Sequence, residues 1–191
     1  MPYILGGVLS YLLGSISFSW LAVRLTARLD LRKLGTGNLG AKNTMRVIGP
    51  LPAILVGILD AGKGWLALFL ATQVIPASTL ALLLAALLVL TGHNFPLWLK
   101  FHGGKGLATL VGIMLFLSPW LLLAMLLLAL GALLILKKGN PAAMVAVLCF
   151  PLLLSTFVGT VWALPLGSAM AGIILIRHRR DLPDLLSALK R

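Results

Sequence analysis

The chain has 191 residues, 60% hydrophobic and only 10% charged, whereas a soluble domain carries about 25% charged residues; it reads as a single polytopic membrane domain, 1–191. Sixteen Lys and Arg against four acids give a net charge of +12, which disfavours any mechanism built on several carboxylates around a metal and suits anionic lipid headgroups or phosphorylated ligands. The cations are scattered between apolar runs, which argues against nucleic acid, and Cys149 alone supplies neither a disulfide framework nor a metal-ligand spacing.

Residues 3–23 form a first apolar run, long enough to cross about 30 Å of hydrocarbon. It opens without a basic n-region or a cleavage site and reads as a retained helix. Ser10 with Gly14, and Ser15 with Ser19, place small residues one turn apart, a pattern that lets helices in lipid approach closely. Residues 24–50 are polar, 51–71 a second span, and 72–78 an uncharged turn containing Pro76; 79–98 is a third span. A second polar stretch, Lys100-Phe101-His102-Gly103-Gly104-Lys105-Gly106, follows.

The long apolar runs 107–136 and 142–176 are each readable as one tilted helix or two short ones, with breaks expected at Ser118-Pro119 and between Trp162 and Pro165. The positive-inside rule arbitrates. If both runs split, seven spans result, and the basic segments 24–46, 100–105, 137–138 and 177–191, holding every cation except Lys63, share one side. The expected fold is therefore all-α, with about seven transmembrane helices, the amino terminus outside and the carboxyl terminus cytoplasmic. Lys63 lies in mid-span three residues after Asp60, so the two share a helix face and can neutralise each other. The pair reads either as functional or as support for the loop above it. In the tail, Leu182, Leu185, Leu186 and Leu189 follow helical spacing behind Pro183, the pattern of an amphipathic surface helix.

Two motifs match in letters and fail in context. Gly35-Thr36-Gly37-Asn38-Leu39-Gly40 fits the dinucleotide pattern, but a polar stretch replaces the buried strand that fold needs. Gly57 to Gly64 approaches a P-loop, yet Gly64 stands where a magnesium-binding hydroxyl is required. The informative polar residues form three clusters expected on the cytoplasmic face. The first holds Thr36, Asn38, Asn43 and Arg46, the second Gly103, Gly104 and Lys105, the third His178 and Asp181. Glycine turns entering helices at Ala41 and Leu107 would offer backbone N–H groups to an anion, and Lys and Arg add full charge.

These residues resemble the bacterial acyl-phosphate-dependent glycerol-3-phosphate acyltransferases over nearly the whole chain. The resemblance is carried by Gly14-Ser15-Ile16, by Asp30-Leu31-Arg32 through the 35–43 segment to Arg46, and by Asp60 with Lys63-Gly64. It continues through Gly92-His93-Asn94-Phe95-Pro96, Phe101-His102-Gly103-Gly104-Lys105-Gly106-Leu107-Ala108-Thr109 and Arg177-His178-Arg179. It implies an enzyme of the bacterial inner membrane, its active site on the cytoplasmic side. That enzyme moves an acyl chain from acyl phosphate to glycerol 3-phosphate, making lysophosphatidate without a cofactor or metal. Family roles place Thr36, Asn43, Arg46 and Lys105 around the phosphates and His178 at the reacting end. The chain departs from the family pattern at Thr36, Lys42, His102, the 137–141 stretch, Asp181 and Lys190.

An acyl phosphate is a mixed anhydride that already carries a good leaving group, so direct attack by the glycerol hydroxyl is the expected route, with the protein supplying position and charge. His178 would take the hydroxyl proton, with Asp181 as orienting partner; the other reading makes His178 a cap on the last span. Two further classes compete: a transporter of phosphorylated ligands, for which only Asp60 and Lys63 lie along the spans, and a catalytically decayed homologue that binds ligand without turnover.

Overall fold

The computed structural model describes residues 1–189, so Lys190 lies outside the described residues. Among these the chain is helical, with no strand. By their internal contacts residues 1–116 and 117–191 make two compact units. The first holds α1 (Pro2–Ser15), α2 (Phe18–Ala27), α3 (Ala41–Ile48), α4 (Pro50–Val74), α5 (Thr79–Asn94) and α6 (Leu107–Leu117). The second holds α7 (Pro119–Leu136), α8 (Gly139–Val158), α9 (Ala163–Arg177) and α10 (Leu182–Leu189).

Among the described residues, five segments are long and apolar enough to cross a membrane: Pro2–Ala27, Pro50–Val74, Thr79–Leu99, Pro119–Leu136 and Gly139–Val158. The apolar helices Leu107–Leu117 and Ala163–Arg177 are shorter. The expected break at Ser118-Pro119 is present, with the Ser118 hydroxyl accepting from the Leu121 N–H to start α7. The second break comes earlier than expected. α8 ends at Val158, where Gly159 takes a left-handed φ of 64°, and Pro165 falls in the first turn of α9, where proline is tolerated.

The first span is not the unbroken helix that its hydropathy suggests. α1 stops at Ser15, whose hydroxyl turns back to the Leu12 carbonyl at 2.7 Å, and Ile16 is extended. Ser17 restarts the chain as α2 by accepting from the Trp20 N–H. Such a break inside a span survives only where its polar groups find partners. Here the Ile16 carbonyl accepts from the Lys63 ammonium at 2.7 Å, and the Ser15 hydroxyl accepts from the Trp98 indole at 2.6 Å. The third span also ends early: α5 stops at Asn94, and Pro96 opens a tight 3-10 turn, Leu97–Leu99.

Glycine decides how the spans of the first unit cross. A Cβ on Gly14 would run into the Val89 backbone, and one on Gly92 into the Tyr11 carbonyl, so α1 and α5 touch backbone to backbone. Gly64 and Gly112 make the same close approach between α4 and α6, against the carbonyls of Thr109 and Ala61. Without a hydrophobic force between helices in lipid, such contacts supply the packing. Gly112→Val should therefore lower stability by about 1–3 kcal/mol, the usual cost of overpacking. Gly131→Ala, which has open space, should be neutral in the same thermal unfolding assay in detergent.

Candidate functional site

The first polar loop is shaped from beneath by its own apolar residues. Leu31 and Leu39 are fully buried and pack with Val23 and Leu99 against Trp20, Leu34, Val47 and Ile48. At the start of the loop Asp30 accepts from the Arg32 backbone and takes its guanidinium side-on, at 2.7 and 3.0 Å. The hydrogen bonds from Arg32 hold the Asp30 carboxyl down to a pKa of about 2, against the pull of partial burial. The glycines then turn the chain back. Gly35 and Gly37 have φ of 57° and 69°. A Cβ on Gly35 would strike the Asn43 amide, and one on Gly37 would sit 2.9 Å from the Arg32 carbonyl.

Asn43, expected among the phosphate ligands, is the internal brace of this turn. Its side chain is buried; its Oδ1 accepts from the Thr36 N–H at 3.0 Å and its Nδ2 donates to the Leu34 carbonyl at 3.0 Å. Both ends of the amide therefore hold the loop. Thr36 is exposed at the tip, where the Asn38 N–H approaches its hydroxyl at 3.5 Å, and Asn38 is half-buried. Arg46 is exposed in the last turn of α3.

The second loop is sewn to the first. Gly103 accepts from the Leu39 N–H at 3.5 Å, and a Cβ on Gly104 would meet the Leu39 carbonyl at 2.5 Å. Gly103 and Gly104 are buried and Lys105 half-buried. Gly106, with φ of 85°, leads into α6. Both loops thus deliver the chain into helix starts, α3 and α6, whose first N–H groups have no intrahelical acceptor. Two stitched glycine turns, two helix starts and the cations Arg46 and Lys105 suit a phosphate ester.

Beneath the second loop lies a charged cluster that sequence spacing did not show. Asp60 is buried between Lys63, at 2.9 Å, and the ring Nδ1 of His93, at 3.6 Å. Lys63 also lies 5.5 Å over the Phe18 ring. The pair is therefore structural at one end, because Lys63 serves the break in the first span. His93 had no acid near it in sequence, and only the packing of α5 on α4 brings it to Asp60. Asn94, next to it, is wholly buried, with no hydrogen-bond partner for its amide atoms among the described residues.

In the second unit His178 ends α9 with its side chain fully buried. Its Nδ1 lies 2.9 Å from the Ile174 carbonyl. A carbonyl only accepts, so this nitrogen carries the proton and leaves Nε2 as the basic position of the neutral ring. At Nδ1 the Ile174 carbonyl orients this ring. The Asp181 carboxylate accepts from the Asn140 amide at 2.8 Å, a contact with the start of α8 that sequence reasoning missed. α10 is tied to the same segment by Lys138, which reaches Asp184 at 3.2 Å and Ser187 at 3.0 Å. Leu185 is buried while Leu182, Leu186 and Leu189 stay exposed.

The family model for glycerol-3-phosphate acyltransferase matches residues 4–188. The chain belongs to this family. A glycerol-3-phosphate acyltransferase of Bordetella pertussis (strain Tohama I) is 38% identical over 185 residues, covering 94% of this chain and 86% of its own. The one from Jannaschia sp. (strain CCS1) is 40% identical over 179 residues, covering 93% and 86%. Among solved structures, the glycerol 3-phosphate form of PlsY, an integral membrane glycerol 3-phosphate acyltransferase, superposes with a TM-score of 0.87. It is 31% identical, over 97% of this chain and 92% of that one. The lysophosphatidic acid form gives 0.84 at 30% identity.

Proposed function

We infer that this protein transfers an acyl chain to glycerol 3-phosphate and releases lysophosphatidate. The stitched glycine loops, with Lys105 on the second and Arg46 on the helix that follows the first, within a chain that matches the acyltransferase family over 4–188, carry this reading. The acyl donor is an acyl phosphate, in line with the family resemblance, and the reaction draws on no cofactor or metal. The glycerol hydroxyl oxygen attacks the acyl carbonyl carbon, the bond from that carbon to the phosphate oxygen breaks, and inorganic phosphate leaves. The hydroxyl proton passes to His178 Nε2, the nitrogen that its Ile174 contact leaves unprotonated. Lys105 and Arg46 hold phosphate charge, the Gly103 and Gly104 backbone lines the same loop, and Asn38 and Thr36 supply polar groups at the tip. Asn43 acts through the loop that it braces, and Asp181 through Asn140. Incubating the purified protein with palmitoyl phosphate and glycerol 3-phosphate tests the reading directly. Lysophosphatidate and phosphate should form together; tight binding without product would mark a decayed homologue.

Lys105 carries a smaller, separable prediction. Losing one charge-assisted hydrogen bond costs about 1.5–3 kcal/mol. Lys105→Ala should lower kcat/KM for glycerol 3-phosphate by about tenfold to a hundredfold without changing the unfolding temperature. Unchanged kinetics would reduce the basic loop to a topology signal.

We also propose seven spans in the bacterial inner membrane, with both glycine loops in the cytoplasm, from the one-sided distribution of the cations. In a Cys149→Ala background, cysteines at the exposed positions His102 and Lys137 should resist an impermeant thiol reagent added to whole cells. Cysteines at Gln73 and Val161 should react. The reverse pattern would overturn the orientation.

A further inference from the structure

We propose that His93 is a positioning residue for acyl transfer, acting as a clamp that holds the Gly103-Gly104-Lys105 loop in the shape that presents Lys105 to the phosphate. The inference rests on the reading of Lys105 as a phosphate ligand and deepens it. His93 grips the loop twice. Its backbone carbonyl accepts from the Gly104 N–H at 3.1 Å, and its ring lies so close to Gly104 that a Cβ there would run into Nε2. Gly103 is pressed against the same carbonyl and that of Asn94, so neither glycine can move toward α5. The ring itself is held from the other side. Nδ1 faces Asp60 at 3.6 Å, and Asp60 is fixed by Lys63 at 2.9 Å, which is fixed in turn by the Ile16 carbonyl at 2.7 Å.

The physical argument is one of rigidity. A glycine loop has many backbone conformations, and a phosphate ligand is only as precise as the loop that carries it. Apolar packing could hold the loop at less electrostatic risk than a buried carboxylate between two basic side chains, because such charges are costly in lipid unless they are paired. The arrangement has a direct use if the ring must stay in one rotamer. A carboxylate facing Nδ1 at 3.6 Å favours one orientation of the imidazole plane, and packing alone would let it turn. The clamp also joins the loop to the break in the first span through Lys63, so α1, α2, α4 and α5 all bear on the position of Gly104.

The test is a double-variant cycle read in KM. His93→Phe keeps a ring of similar size and removes the contact with Asp60. The expected result is a KM for glycerol 3-phosphate at least tenfold higher, with kcat at saturation within about threefold of wild type. Lys105→Ala, which stands for a tenfold to hundredfold loss in the parent, should cost threefold or less in the His93→Phe background, because the lysine is already misplaced. His93→Gln, whose amide N–H can still reach Asp60, should restore KM to within about threefold. If His93→Phe does not fold, Asp60→Leu combined with Lys63→Met removes both buried charges and the acceptor that faces Nδ1, and should give the same KM rise. A KM within twofold of wild type in any folded variant lacking the Asp60 contact, or additive losses for His93 and Lys105, would overturn the clamp. Wild-type kinetics in Lys105→Ala alone would instead overturn the phosphate reading, and leave the KM of His93→Phe to judge the clamp by itself.

Discussion

His178→Ala should lower kcat by about a hundredfold to ten-thousandfold, the range that a positioned general base contributes. The expectation rests on the tautomer. With Nδ1 donating to the Ile174 carbonyl, the neutral ring presents an unprotonated Nε2, and burial keeps the ring in that orientation. Activity should rise with pH as the imidazole loses its proton, and this limb should vanish in the alanine variant. Asp181→Asn should retain activity, because an amide oxygen can still accept from the Asn140 side chain. Steady-state rates across pH for the three proteins check both statements. If His178→Ala transfers acyl groups at the parent rate, the base is the phosphate of the substrate itself.

Asp60→Ala should destabilise the protein by about 3–5 kcal/mol, the cost of stranding one partner of a buried ion pair. Lys63 would be left charged with only the Ile16 carbonyl and the Phe18 ring for company. Adding Lys63→Met should recover part of the loss by removing the stranded charge. It cannot recover all of it, since the Ile16 carbonyl at the break in the first span would then lack its donor. Thermal unfolding in one detergent distinguishes these outcomes. Equal unfolding temperatures for parent and Asp60→Ala would show that the pair contributes nothing to the fold.

Composition and hydropathy were enough to read a helical membrane protein, because a bilayer leaves a chain this apolar no alternative to helices that satisfy their own backbone. The split at Ser118-Pro119 was legible for a local reason: a capping serine followed by proline starts a helix wherever it occurs. The glycine loops and their cations were legible too, since Gly35 and Gly37 stand where positive φ is needed and Lys105 stands among glycines. Local rules failed where a distant partner reverses the local preference. Nothing within the 3–23 run forbids a continuous helix; the break at Ile16 exists because Lys63, 47 residues away, satisfies the exposed carbonyl. The resemblance puts Asn43 near phosphate, but that its amide braces the loop depends on where the turn puts Leu34 and Thr36. His93 met its carboxylate only through packing of α5 on α4, and Asp181 met Asn140 across 41 residues of chain. Helix formation depends mostly on neighbours along the chain, so sequence alone determined it except where a distant partner intervenes, as Lys63 does at Ile16. The pairing of buried polar groups is settled by which backbones can approach, here at Gly14 with Gly92 and Gly64 with Gly112, and only the tertiary structure decides that.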